Sequence, residues 1–432
     1  MTLPPEQIHW NRTAIAAPTY AALQKNTNAD VVVIGGGLTG CRTALGLAEA
    51  GLSVVILDAK DIGWGASGRS GGQCNPIWRA TPQDLAQRLG DKRATQLVDT
   101  TIGSATALFD DINRYKIDCD AIQKGWVQAA HSKKAARFLS SLQSAWAASG
   151  ARITTLEGSD VERISGSPAY SFALLHETGG HVHPLSLTRG YAAAAVERGT
   201  QIYCGEPVTI LQRNKNHWQV QTPSGSVSAN QVVITTNAYT GSALWPGLQQ
   251  TFLPMVSVSL ATAPLSAELR ATVLPGNVTL ADSRLAIYYC RYDRDGRLIF
   301  GCVGSADSSR VLGGLERLRS GLHTVFPQLR QIDIECTWAG RIAVTPEMMP
   351  HIHEPAPGII AGIGFSGRGI AMTSVMGRAL AKRILGEPEH TLPFPVQPVN
   401  KMALHSAKKT LIPLMAPAMS LKDRLDTMID KQ

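Results

Sequence analysis

The chain has 432 residues, 44% hydrophobic and 17% charged, enough for two to three domain-sized units with proper cores. No run of 18 apolar residues occurs, the start around Glu6, His9 and Asn11-Arg12-Thr13 lacks a charged-then-apolar export signal, and the seven cysteines form no CxxC pair. These features argue against a helical membrane span, a disulfide framework and a cysteine zinc site, and place the chain in the cytoplasm. With 41 basic against 33 acidic residues the net charge is +8, but no aromatic-basic interleaving or RNA motif accompanies it, so no nucleic-acid partner is expected.

In chain order, residues 1–27 read as an N-terminal arm. The apolar run Val31-Val32-Val33-Ile34 then meets Gly35-Gly36-Gly37-Leu38-Thr39-Gly40, and a helix-compatible segment leads to Val54-Val55-Ile56-Leu57-Asp58. Strand, glycine turn, helix and acid-terminated strand are the fingerprint of a dinucleotide-binding fold: Gly35 makes the tight turn, Gly37 admits a pyrophosphate and Gly40 lets helix and strand pack closely. The helix start offers free amides to the phosphates, Asp58 accepts ribose hydroxyls, and Ala59-Lys60 follow at the same edge. Next comes Gly63-Trp64-Gly65-Ala66-Ser67-Gly68-Arg69-Ser70-Gly71-Gly72-Gln73, whose small residues would let backbone amides reach a second stretch of a long cofactor.

A middle piece returns through Gly179-Gly180-His181-Val182-His183-Pro184, a helix over 185–199, and a strand pair over 208–212 and 218–222. Val232 to Ile234 is a buried-type strand running into Thr235-Thr236-Asn237-Ala238 at a ligand edge. The stretch 246–334 has short alternating runs suited to an antiparallel sheet. Within it, Tyr288 to Gly301 is a hairpin turning at Asp295-Gly296, with Tyr289 and Arg291 on one face and Tyr288 and Cys290 on the other. Trp338-Ala339-Gly340-Arg341 and Thr345 to Pro350 precede Gly364-Phe365-Ser366-Gly367-Arg368-Gly369-Ile370-Ala371-Met372, a strand end and glycine turn opening a helix over 370–385. His181/His183 and His351/His353 lack acids or thiols at metal spacing, so no metal is expected.

GWGASGRSGGQ, the Trp338 and Thr345 segments and GFSGRG together resemble the D-amino acid oxidase superfamily, especially its gamma-glutamylputrescine oxidase and L-pipecolate oxidase branch. The resemblance implies an α/β (mixed α+β) chain with a Rossmann-like FAD-binding domain over 28–88, 150–245 and 335–390, an antiparallel-sheet substrate domain over 89–149 and 246–334, and a C-terminal extension over 391–432. It implies FAD contacts from the three glycine segments, including Gly364, Ser366 and the Gly367 to Met372 turn, from Thr236 and Asn237, and from the backbone of Val208. By alignment with sarcosine oxidases, Gly340 stands at the flavin-linking cysteine, Ile299 near the oxygen-activating lysine, Arg368 at a histidine and Ala371 at a carboxylate-binding lysine. A noncovalent flavin follows.

The activity implied is oxidation of a carbon–nitrogen bond to an imine by hydride transfer to the flavin, with oxygen or a quinone as acceptor. A secondary amino acid such as L-pipecolate is the substrate expected, a gamma-glutamylated diamine the runner-up, and a flavin protein acting on tRNA the alternative of another class. Arg291 is the expected carboxylate clamp, with Arg368 and Arg341 as secondary contacts and Arg69 orienting near the ring. Tyr288, Tyr289, Trp64, Trp78 and Met372 would line the pocket. Residues 401–432 hold six Lys or Arg and three Asp. Pro413 and Pro417 are expected to break any long helix there, and Leu421, Leu425, Met428 and Ile429 to dock on the protein or a partner subunit from a helix starting at Ser420. Peripheral contact with the inner membrane face is the other reading of this tail.

Overall fold

The structure is a computed structural model that describes residues 7–304 and 311–430. The expected fingerprint forms the centre of the first sheet. Strand Thr27–Ile34 lies between Gly225–Ile234 and Val54–Leu57, parallel to both, so that Val33 pairs with Val233 on one side and Ile56 on the other. Ile359–Ile363 extends the sheet beyond Gly225–Ile234 and Gln201–Tyr203 beyond Val54–Leu57, while the hairpin Ile210–Asn214/His217–Thr222 and the antiparallel His351–Ala356 complete it. Val31, Val32 and Val33 are all fully buried, as strands covered on both faces require. Helices Leu38–Glu49, Pro184–Val196 and Gly369–Ile384 contribute to the core on one face, and a Cβ on Gly40 would fall 1.9 Å from the Gly35 carbonyl oxygen, so only glycine permits this approach.

The second sheet runs Ile334–Val344, Leu253–Pro264, Arg297–Gly304, Tyr288–Tyr292, Thr279–Asp282, Trp126–Ala129, Phe172–His176 and Ile153–Glu157. All its neighbours are antiparallel except Thr279–Asp282 with Trp126–Ala129. Leu318, Leu322 and Val325 of helix Val311–Val325 bury one face, and the other roofs a cleft over the first sheet.

Three expected boundaries shift. Ile153–Glu157, Phe172–His176 and Ile334–Val344 were expected in the cofactor domain but pair into the second sheet. From the expected substrate stretch 89–149, only Trp126–Ala129 joins that sheet; helices Asp91–Arg114 and Lys133–Ala147 pack into the cofactor-domain core through Leu108, Leu142 and Trp146. Asp111 fastens the first of them, bonding Arg42 Nε at 2.8 Å, Arg378 Nη2 at 2.7 Å and the Tyr191 hydroxyl at 3.0 Å.

The tail also differs. A single helix spans His405–Ile429 through both prolines, and Ser420 lies inside it. Proline removes the amide bonds to the carbonyls four residues earlier, but tertiary anchors hold the helix: Ile412 is 2% exposed, and both Asp423 carboxylate oxygens accept backbone amides, from Leu285 and Ala286, at 2.9 Å. Leu421, Leu425, Met428 and Ile429 point away from the body, at 51–67% exposure.

Candidate active site

The first strand ends at Ile34 and is followed by Gly35, whose φ of +108° turns the chain toward helix Leu38–Glu49. That helix is capped at Gly37 without any side-chain hydrogen bond, so its leading amides face the cleft with only the Ser67 hydroxyl, 2.9 Å from the Leu38 amide, beside them. Asp58 accepts from the Gly36 amide at 2.7 Å and the Lys60 amide at 2.8 Å. Burial raises its pKa, and these two amides oppose that shift. Thr39, Ala59 and Val208 line the same end, together with Glu206, which the sequence reading missed.

The second glycine segment crosses the floor between the sheets. Gly65, Ala66, Ser67, Gly71 and Gly72 line the cleft, and the Tyr289 ring lies where a Gly71 side chain would be, 2.6 Å from the built Cβ. Arg69 donates from Nε to the Trp64 carbonyl at 2.8 Å and sits over the Trp64 ring at 4.6 Å, while its Nη2 is buried with no partner. Gln73 pins the segment to the roof: its Oε1 accepts from Trp126 Nε1 at 3.1 Å, and its Nε2 donates to the carbonyls of Leu280 at 3.0 Å and Cys290 at 3.2 Å.

Helix Gly369–Ile384 supplies a second N-terminus without a capping side chain. Its turn is held where Asn237 Oδ1 accepts the Gly364 amide at 2.9 Å, and Ser366, Gly367, Gly369 and Ile370 line the cleft with Thr236 and Gly340. Gly40, Gly364 and Ala371 sit behind the lining; Ala371 is fully buried in the core, so its side chain makes no contact there.

Two expected catalytic side chains are elsewhere. Tyr288 takes the opposite face of the hairpin, its ring 5.4 Å from that of Phe300 and packed against Gly321, because alternation turns it toward helix Val311–Val325. Arg291 does share the Tyr289 face but stops short of the cleft: it is 1% exposed, lies 4.4 Å over the Trp10 ring and donates to the carbonyls of Gly71, Tyr292 and Val182. The carboxylate-clamp expectation for Arg291 is therefore corrected. Met372 likewise is core, whereas Trp64, Trp78 and Arg341 line the cleft.

Of the cations that line the cleft, two lie near one another: Arg368, at the helix N-terminus, and Arg79, which sequence reading missed one residue beyond Trp78. Arg368 lies 6.0 Å from the Trp126 ring centroid and donates to the Ile77 carbonyl. Burial pulls its pKa down to about 9, with the positive charge of Arg79 adding to the shift. Surrounding protein lowers the pKa of Arg79 too, against the pull of Asp282 and Asp423. Neither arginine enters an ion pair among the described residues. Opposite them, the Tyr289 hydroxyl bonds Ser257 at 2.7 Å and Ser259 at 2.9 Å, and Gln128 Oε1 is buried without a partner. Met415 and Met419 of the C-terminal helix close this end, another contribution that sequence reading missed.

The histidine pairs have structural partners: His181 Nδ1 lies 2.9 Å from Thr279, His183 caps helix Pro184–Val196, His351 lies 3.0 Å from Glu347, and His353 Nδ1 lies 2.9 Å from the Gln397 carbonyl.

The cleft measures about 930 Å³ and runs from Asp58 past both uncapped helix starts to Arg79. FAD fits it: glycines leave backbone room for a pyrophosphate, two helix N-termini offer amides to anionic atoms, and Arg69 Nη2 awaits an acceptor. The FAD dependent oxidoreductase family model matches residues 30–383. Gamma-glutamylputrescine oxidoreductase of Escherichia coli (strain K12) is 33% identical over 381 residues, covering 87% of this chain and 89% of that protein. The probable oxidoreductase OrdL of Haemophilus influenzae is 31% identical, covering 86% of each. The crystal structure of L-proline dehydrogenase from P. horikoshii has a TM-score of 0.71 at 20% identity, covering 86% of this chain and 100% of that one. The chain belongs to the family of FAD-dependent oxidoreductases to which these proteins are similar.

Proposed function

We propose that the chain oxidises the carbon–nitrogen bond of an amine or amino acid to an imine, and that its substrate is a secondary amino acid such as L-pipecolate. The observation carrying this reading is the pair Arg79 and Arg368, two cations without an ion pair that line one end of a cofactor cleft. Cations without an ion pair favour an anionic ligand, and a guanidinium fork matches a carboxylate with two parallel bonds. Because Arg368 opens the helix that faces the cofactor, it would hold a carboxylate close to the reacting carbon, as in an α-amino acid. In gamma-glutamylputrescine the carboxylate lies far from the oxidised amine; that substrate is the second reading, favoured by the identity to the Escherichia coli oxidoreductase.

FAD, when bound, supplies the hydride acceptor. The chain supplies position and dryness: Tyr289, fixed by two serine hydroxyls, walls one side of the pocket, and Trp78, Met415 and Met419 exclude water. A poorly solvated pocket favours the neutral amine, the form from which hydride leaves the carbon. Loss of hydride from carbon and a proton from nitrogen gives the imine, which water then hydrolyses.

The free cysteines, six of them buried, suit a reducing compartment, and the proposal places the reaction in the cytoplasm or at the inner face of its membrane. Oxygen or a quinone accepts the electrons. An anaerobic screen of L-pipecolate, L-proline, gamma-glutamylputrescine and putrescine, followed by flavin absorbance, tests the reading. Rapid bleaching by the two amino acids supports it; bleaching by gamma-glutamylputrescine alone transfers the assignment to the second reading.

A further inference from the structure

We propose that helix His405–Ile429 is an interfacial helix that lays its outer face into an anionic lipid surface while its inner face closes the substrate end of the cleft. The inference stands apart from the choice of substrate. It starts from the helix having two apolar faces instead of one. The inner face carries Ile412, 2% exposed, Met415 and Met419 against the cleft, and Asp423 bonded to the Leu285 and Ala286 amides. His405 Nε2, 3.0 Å from the Phe252 carbonyl, secures the first turn.

On the outer face stand Leu411, Leu414, Leu421, Leu425, Met428 and Ile429, each 51–67% exposed. With Ala418 they recur at intervals of three and four, which gathers them into one stripe along the helix. Six large apolar side chains left facing water in a row mark an interaction surface. No helix among the described residues is long and apolar enough to cross a membrane, so the geometry is that of a helix lying on one.

Charge selects the occupant. Lys408, Lys409, Lys422 and Arg424 are all exposed on this helix. Its acids are turned inward: Asp423 is 3% exposed and bonded to backbone, Asp430 accepts the Lys133 amide, and Asp426 is half-buried. That contact also brings the helix end against the start of Lys133–Ala147, where Lys133, Lys134 and Arg137 are exposed with Phe138. A two-fold contact with a second copy would set the patch against itself, cations facing cations. Anionic headgroups complement the same pattern, an apolar stripe with basic flanks.

The test uses the full-length holoenzyme and sedimentation with vesicles. Wild type should pellet with phosphatidylglycerol/phosphatidylethanolamine vesicles and remain in the supernatant with phosphatidylcholine, and binding should weaken as salt is raised. The triple variant Leu414→Gln/Leu421→Gln/Leu425→Gln should stay in the supernatant with its flavin spectrum, and its turnover with a soluble dye acceptor, unchanged. Lys408→Glu/Lys409→Glu should weaken vesicle binding about tenfold or more without touching the stripe. Wild type that ignores phosphatidylglycerol, or a triple variant that pellets equally, overturns the proposal. A wild-type dimer that the triple variant dissociates, with no lipid binding by either, gives the stripe to a second copy and overturns it too. Because vesicle binding needs no substrate, its failure is separate from any failure of the substrate assignment.

Discussion

The guanidinium of Arg291 donates from Nε to the carbonyl of Gly71 at 3.0 Å, joining the roof hairpin to the glycine segment that floors the cofactor cleft. Its other nitrogens meet the carbonyls of Tyr292 at 2.8 Å and Val182 at 2.9 Å, and Trp10 closes the space above. Burial lowers its pKa to about 10, and Asp293 and Asp120 oppose that shift. Arg291 is thus a positioning residue: it holds Gly71 where the cofactor must pass.

Replacing Arg291 with Ala should leave three buried carbonyls without these donors and a void beneath Trp10. A stability loss of about 3 kcal/mol or more is expected, together with weaker FAD retention. Enzyme that keeps its flavin should show a KM within about twofold of wild type, since substrate meets other groups. A large rise in KM at unchanged thermal stability would return the carboxylate clamp to this residue.

For Arg368→Ala the expected pattern is reversed. FAD should remain bound and thermal stability should hold or rise, because a half-buried cation without an ion pair is removed. Capture of an amino acid substrate should fall by about 2 to 5 kcal/mol in kcat/KM. Arg79→Ala should act in the same direction but less, its side chain being more open to water. Steady-state kinetics with parallel flavin spectra separate these effects; unchanged kcat/KM in both variants would remove the carboxylate site from this end of the cleft.

Stability should fall in mild acid. Burial depresses the pKa of His176 and His183 from 6.5 to about 3, so between those values the unfolded chain takes up protons that the folded chain refuses. Their contribution is intact above pH 6.5 and is lost as the pH drops toward 3, at about 1.4 kcal/mol per pH unit for each. His183 adds a specific reason: its Nδ1 accepts the Ser186 amide at 3.2 Å and caps helix Pro184–Val196 only while unprotonated. His183→Asn keeps a capping acceptor that does not titrate. Calorimetry from pH 7.5 to 4.5 should show a shallower decline of Tm for this variant; an identical decline would exclude His183.

Acid precipitation should release all FAD to the supernatant. Gly340 lines the cleft with no side chain, and a Cβ there would come within 2.9 Å of the Arg69 Cβ. Cys336, four residues earlier, packs with the cluster of Trp10 and Trp338 and does not line the cleft. Flavin absorbance persisting in the pellet would reveal a covalent bond from another residue.

The cradle was readable in the sequence because its signals are local. Gly35 to Gly40, the segment from Gly63 to Gln73 and the turn before Gly369 each declare backbone freedom within a few residues of where it is used. Alternation along the hairpin separated Tyr288 from Tyr289 correctly but carried no depth. Whether Arg291 reaches substrate depends on Trp10, a residue of the distant N-terminal arm whose burial no local pattern announces. Arg79 was missed for a related reason, as a lone arginine after an apolar stretch becomes a site only when Arg368 is folded against it. In the tail, Pro413 and Pro417 spoke for a break that the anchors at Ile412 and Asp423 override.

The cradle's three glycine segments lie far apart in the chain, and this sets an order of events at the ribosome. Gly35 to Gln73 emerges early, but the turn of Gly364 to Gly369 that completes the cleft follows almost 300 residues later. At bacterial or eukaryotic elongation speeds of about 5 to 20 residues per second, that interval lasts roughly 15 to 60 s. Strand Thr27–Ile34 waits through most of it for Gly225–Ile234, its partner along seven paired positions. During synthesis the nascent chain therefore carries a strand that can pair early with Val54–Leu57 on one edge while its other apolar edge stays open, and the cofactor cleft is complete only after the turn of Gly364 to Gly369 has emerged.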